Sequence, residues 1–202
     1  MNKPNFIFKT FLFLLALSAA NTFAQTDAKQ PQADPCYEVI LQLVVASNGA
    51  SEKSTLPPSL AGTVKKLKTL YTFSDYRLTT TFLQRTSSLI EYKSLQTEFN
   101  QVTDKNYPAF SEWTLRGLKS MAGAQGRNIL QFESFRFGMR IPIVRSGVDE
   151  SGKTQSSVVY DSTGITTARF NVNENEPTII GSLATSKPEE LMFLVLTVKP
   201  TE

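Results

Sequence analysis

The 202-residue sequence contains no histidine and a single cysteine, Cys36. Without imidazole there is no His-based Ser or Cys triad and no His/Cys cluster for zinc, and one thiol cannot close a disulfide within one chain. Charge is also sparse, with 19% charged residues against 41% hydrophobic ones, a balance that fits a globular chain and excludes an intrinsically disordered one. The length suits one folded domain with a proper core. No internal repeat of useful length and no low-complexity tract is evident.

No apolar run reaches the roughly 20 residues that a membrane-spanning helix needs. The one pronounced run, Phe11 to Ala20, follows Lys3 and Lys9 and precedes Thr22-Phe23-Ala24, whose outer two positions carry the small side chains a signal peptidase reads. This pattern predicts a bacterial Sec-type signal over residues 1–24, cleavage after Ala24, no retained transmembrane span and a periplasmic or secreted address. Ala33-Asp34-Pro35 ahead of Cys36 is no apolar lipobox, so lipoprotein processing is not expected. Removing the signal takes away two lysines and no acids, leaving 19 basic against 18 acidic residues. Nucleic-acid binding needs a strong clustered positive field. The one cluster, Lys65, Lys66 and Lys68, reads as the solvated outer face of a helix.

Residues 25–36 are polar and proline-containing, a flexible lead-in, and folding is expected over 37–199. From Tyr37 to Val45 apolar residues alternate with Glu38 and Gln42, while Ile40 and Val44 fall on the second face, as in a strand covered on both sides. After Ser47-Asn48-Gly49 and Pro57-Pro58-Ser59, the spacing of Leu60, Val64, Leu67 and Tyr71 predicts a helix. A second strand places Tyr76, Leu78, Thr80 and Phe82 on one face. Residues 37–85 therefore read as a βαβ unit.

Residues 86–199 read as a β-rich part. Leu89 to Phe99 is strand-like. Phe110 to Met121 fits a helical stripe or an alternating strand, and Gly117 tips the choice toward strand. Phe135, Phe137, Met139, Ile141 and Ile143 alternate with polar residues, with Pro142 interrupting the end as at an edge or bulge. A polar loop is expected from Gly147 to Gln155. Further strands are expected over Ser157 to Tyr160, extended by Ile165 to Asn173, then Thr178 to Leu183 and Leu191 to Val198. Residues 173–177 and 185–188 form the turns. Leu191 to Leu196 is apolar at every position, which places that strand in a layer buried on both faces or in an interface. The expected class is β-rich α+β, a βαβ unit followed by a mostly antiparallel sheet of several strands. One helix hides only part of a sheet face, so a second β layer or a partner must cover the rest.

Three C-terminal segments carry a resemblance. Ile165 to Val172, a strand of alternating small polar and apolar residues, is followed by Thr178-Ile179-Ile180-Gly181-Ser182-Leu183. The chain closes with Leu191-Met192-Phe193-Leu194-Val195-Leu196-Thr197-Val198. Over roughly residues 128–199 this order resembles the secretins, the ring-forming outer-membrane channels of bacterial secretion and pilus systems, with their "V-V-I-G-G-L" and "L-L-I-F-L-T-P" segments. The upstream βαβ unit is similar in kind to their periplasmic ring-building domains. Secretins carry a long proline- and glycine-rich segment where this chain has only Ala184 to Glu190. The resemblance thus implies a soluble secretin-related module, with pore function left aside.

Candidate chemistry is thin. Gly147-Val148-Asp149-Glu150-Ser151-Gly152-Lys153-Thr154 satisfies the phosphate-loop pattern G-x-x-x-x-G-K-T, but Gln155 to Tyr160 reads as strand where that chemistry needs a helix, so a hairpin loop is expected. Glu174 and Glu176 lack the alternating spacing of a calcium loop and read as a turn. No Gly-x-Ser-x-Gly or Ser-x-x-Lys nucleophile motif is present. Cys36 reads as a lone buried thiol, the alternative being an intermolecular disulfide. No catalytic, cofactor-binding or metal-binding residue is assigned and no cofactor is expected. The reading is an exported, non-enzymatic binding or assembly module that acts through protein partners or self-association. The alternative is a periplasmic hydrolase whose carboxylates converge in space.

Overall fold

The computed structural model describes residues 35–49, 56–96, 107–123, 126, 128–148, 152–185, 187 and 189–201. The expected export signal and most of the lead-in lie outside these residues. Among the described residues, nine strands and one α-helix follow in order: β1 (Tyr37–Ser47), α1 (Ala61–Leu70), β2 (Asp75–Thr86), β3 (Leu89–Gln96), β4 (Ala109–Arg116), β5 (Lys119–Ala122), β6 (Asn128–Val148), β7 (Thr154–Asn173), β8 (Thr178–Ala184) and β9 (Glu190–Pro200). A single 3-10 turn, Pro58–Leu60, leads into α1, with Pro57 and Pro58 supplying the fixed φ that suits a helix start.

The strands form two antiparallel sheets. Sheet A has the order β2-β1-β9-β8. Sheet B joins β3 to β4 and β4 to β6, with β7 along the other edge of β6. Because β7 pairs with β6 from Ile129 to Val148, β5 must lie on the β4 side. It continues the line of β4 in unchanged register, Lys119 opposite Gln131 after Arg116 opposite Ser134. The chain passes from sheet A to B through the tight turn at Thr86–Leu89, where Thr86 Oγ1 donates to the Leu89 carbonyl at 2.8 Å. It returns through Asn173–Thr178, with Asn175 at φ 63°.

The two inner faces meet in the main core. Val39, Leu41, Leu43, Met192, Leu194 and Leu196 of sheet A pack against Trp113, Phe132, Phe135, Phe137 and Met139 of sheet B. The second β layer left open by the sequence is therefore present within the chain. On the outer face of sheet A, α1 and the turn before it bury Leu60, Val64 and Leu67 against Val44, Ala46, Phe193 and Val195. Strands β1 and β9 are covered on both sides, which is why Leu191 to Leu196 of β9 are apolar at every position.

Several expectations need correction. Strands β1 and β2 flank the helix as expected, but they pair directly and antiparallel, so the unit is no parallel crossover. Tyr76, Leu78 and Phe82 do not share a face. The register passes from Leu43 opposite Thr80 to Val44 opposite Leu78, leaving Thr79 as a bulge whose Oγ1 donates to the Leu43 carbonyl at 3.0 Å. The extra residue turns Tyr76 and Leu78 toward α1 and Phe82 toward the main core. Pro142 lies at an edge as expected, but it does not end its strand. The β4 ladder stops at Arg140, so β6 becomes an edge on that side, where a residue without an N–H is tolerated. The strand runs on to Val148, and β7 is one 20-residue strand without a break at Asp161.

A second irregularity crosses three strands of sheet B at one level. Inward-facing residues change parity from Leu115 to Leu118, from Phe132 to Phe135 and from Ile165 to Phe170. At that level Gly117 has φ 72° and Arg169 φ 49°, and the β6–β7 ladder skips Glu133. Each strand inserts its extra residue at the same register, so the sheet bends while the apolar side stays on the core.

Candidate interaction surface

The most distinctive feature is an arm. Beyond the Arg140 end of the β4 ladder, β6 and β7 pair only with each other among the described residues, from Ile141 opposite Asp161 to Val148 opposite Thr154. At about 3.3 Å per residue the ribbon extends roughly 25 Å. Its two faces follow from the pleat. One continues the outer face of sheet B and carries Pro142, Val144, Val148, Val158 and Tyr160; the other carries Ile141, Ile143, Arg145 and Val159. Val144 is 50% exposed, Val148 72% and Tyr160 43%. Tyr160 leans on Phe110 with ring centroids 5.7 Å apart, and the Arg140 guanidinium lies 5.3 Å from the Phe110 centroid, which ties the base of the arm to the sheet.

At that base, Gly138 faces Gly164 across the β6–β7 ladder. The missing side chains leave a shallow depression of about 320 Å³ flanked by Arg136, Arg140, Ser162, Thr166 and Glu112. Glu112 lies 3.8 Å from Lys93, while no carboxylate lies within 4 Å of either arginine among the described residues. A second depression of about 360 Å³ lies beside α1 and the β7–β8 turn, with Glu176 as its acid. Among the described residues that line them, each depression presents one carboxylate.

The phosphate-loop pattern straddles the arm tip: Gly147 and Val148 end β6, and Thr154 opens β7, so no helix follows the lysine. Its Asp149, Glu150 and Ser151 lie outside the described residues. The polar loop is shorter than expected, because Gly147 and Gln155 already pair in the ladder. The Glu174 and Glu176 carboxylates accept hydrogen bonds from Asn128 Nδ2 at 3.2 Å and Asn173 Nδ2 at 2.8 Å, and Lys66 Nζ lies 3.4 Å from Glu176. They stabilise a turn, and no group of three or more His, Cys, Asp or Glu among the described residues could hold a metal ion. Lys65, Lys66 and Lys68 do lie on the outer face of α1. Cys36 is exposed rather than buried, because it precedes the first inward residue, Tyr37, at the end of sheet A. No helix among the described residues is long and apolar enough to cross a membrane.

The arm escapes a reading of the sequence because residues 147–155 are polar and glycine-containing, and its strands are Ser- and Thr-rich. The available signal was the pair of apolar groups Ile141, Ile143 and Val144 on one side and Val158, Val159 and Tyr160 on the other, which together fit a long hairpin. No protein-family model matches this chain, and it has no match among curated proteins or solved structures.

Proposed function

We propose that this protein is an exported, non-enzymatic binding or assembly module of the bacterial cell envelope, related to secretin domains, that acts through protein–protein contacts. The observation that carries the reading is the β6–β7 arm, with Val144, Val148 and Tyr160 exposed on one face. A two-stranded ribbon is marginal alone in water, and solvated apolar residues on such an element favour an interaction site over a purely structural extension. Strands β7, β8 and β9 hold the three segments that carry the secretin resemblance, which supports kinship with those modules.

The test is photo-crosslinking from Val148 and Tyr160 in the native host, with fractionation of the envelope. Crosslinks from the arm to an exported protein or to a second copy are expected, in a chain whose mature form begins at Gln25. A cytoplasmic full-length chain, or turnover of a glycan, peptide or ester substrate with no arm crosslink, would overturn the proposal.

A further inference from the structure

Four sheet edges of this fold carry features that discourage pairing with another chain. Edge strand β2 has the Thr79 bulge together with Arg77 and Arg85. Edge strand β3 carries Glu91 and Lys93, and β8 is short, with a register shift between Ile179 and Gly181. On the arm, the free side of β6 carries Pro142 and Arg145. Such bulges, charges and prolines are the usual means of keeping edges from pairing. The outer edge of β7 from Thr154 to Tyr160 has none of them. It is regular, uncharged and proline-free, and among the described residues it has no ladder other than the one with β6.

The charges that bound this segment identify what fits it. Lys153 precedes it and Asp161 follows it. Antiparallel pairing with a second copy about a two-fold axis at Ser157 sets residue 153 opposite 161 of the other copy, and does so twice. The same register places Thr154 opposite Tyr160, Gln155 opposite Val159 and Ser156 opposite Val158. No like charges oppose each other, and aromatic, β-branched and hydroxyl side chains meet in the cross-strand pairs that stabilise antiparallel sheets.

We propose that the Thr154–Tyr160 edge of β7 pairs with the same edge of a second copy, joining two arms into one continuous four-stranded ribbon. The inference rests on the assembly reading above and specifies its partner and register. An interface of this kind is isologous and closes at the dimer.

The experiment uses the mature chain in sedimentation velocity over a concentration series, with charge reversals at the two bounding positions. The wild type is expected to reach a dimer. Lys153→Asp and Asp161→Lys should each weaken association about tenfold, since each converts two attractive pairs into repulsive ones, and the double reversal should restore it. Circular dichroism confirms that the variants fold. In a Cys36→Ser background, Ser157→Cys should form a disulfide-linked dimer under mild oxidation, because directly opposed residues lie within disulfide reach, whereas Ser94→Cys on β3 should not. A folded monomer at all concentrations, single reversals without effect, or a double reversal that fails to restore association would overturn the proposal. If the protein is monomeric yet crosslinks through the arm to another exported protein, self-pairing fails and the assembly reading stands. If neither occurs, both fail.

Discussion

Gly164 stands directly opposite Gly138, so close that a methyl group added at Gly164 would collide with the carbonyl oxygen of Phe137 and come within 3.0 Å of Gly138 Cα. Backbone cannot move aside as a flexible side chain can. Gly164→Ala should therefore destabilise by about 1–3 kcal/mol, the usual range for overpacking. Gly138→Ala is the control, because its new methyl would meet Glu112 Cγ at an ordinary 3.6 Å and nothing closer. Chemical denaturation of the two variants checks the contrast; equal stabilities would show that the ladder relaxes freely at this point.

The central position of β9 makes a second expectation. Phe193 is 1% exposed and is packed edge-on by Tyr71 at 5.0 Å between centroids. Phe193→Ala should cost about 3–5 kcal/mol. Deleting Leu191 to Glu202 removes a strand paired on both sides, and should leave the chain insoluble or protease-sensitive. Normal solubility and melting of the truncated chain would show that sheet A closes without it.

Tyr76 gives a pH dependence. Burial pushes its hydroxyl above the usual 10.0, with Tyr71 adding to the shift, and the hydroxyl has no hydrogen-bond partner among the described residues. A folded-state pKa raised above the unfolded value means that stability is fully present below pH 10 and is lost as pH rises through the folded pKa, since the unfolded chain releases its proton first. Tyr76→Phe should reduce this alkaline loss and leave stability at pH 7 unchanged or higher. Melting curves between pH 8 and about 11 for both proteins measure the difference; identical alkaline profiles would place the hydroxyl in water.

The phosphate-loop pattern predicts nothing for nucleotides in this fold, because Thr154 opens a strand. Lys153→Ala should leave the fold intact, and Mg-ATP should not shift the melting temperature of wild type or variant. A saturable, Lys153-dependent affinity for ATP would contradict the hairpin account.

Much of the architecture was legible where burial alone fixes the residue choice. The unbroken apolar run of β9 marks a strand covered on both faces, and the spacing of Leu60, Val64 and Leu67 marks the helix. The illegible parts are non-local or hinge on single inserted residues. Nothing in Asp75 to Thr86 announces that Thr79 is bulged, because threonine is equally at home in a regular strand, yet the bulge sends Tyr76 and Phe82 to opposite cores. Likewise Glu133 and Arg169 are ordinary strand-surface residues, and Gly117 alone hints at the bend they share. The division into two sheets depends on pairings across long sequence separations that periodicity does not encode. The arm was hidden by its composition, since serines and threonines serve loops and exposed strands alike.

The pairing of β1 with β9 sets the order of events in folding. Tyr37 lies opposite Pro200 and Ser47 opposite Glu190, so the middle of sheet A is a seam between segments about 150 residues apart. A growing chain can form the β1–β2 hairpin around α1 and the whole β6–β7 ribbon early, but β1 keeps a bare, strongly apolar flank until Glu190–Pro200 have been synthesised. Sheet B can assemble from neighbouring strands alone, whereas sheet A must wait. The chain should therefore fold slowly for its size and be most vulnerable to aggregation just before its last strand arrives.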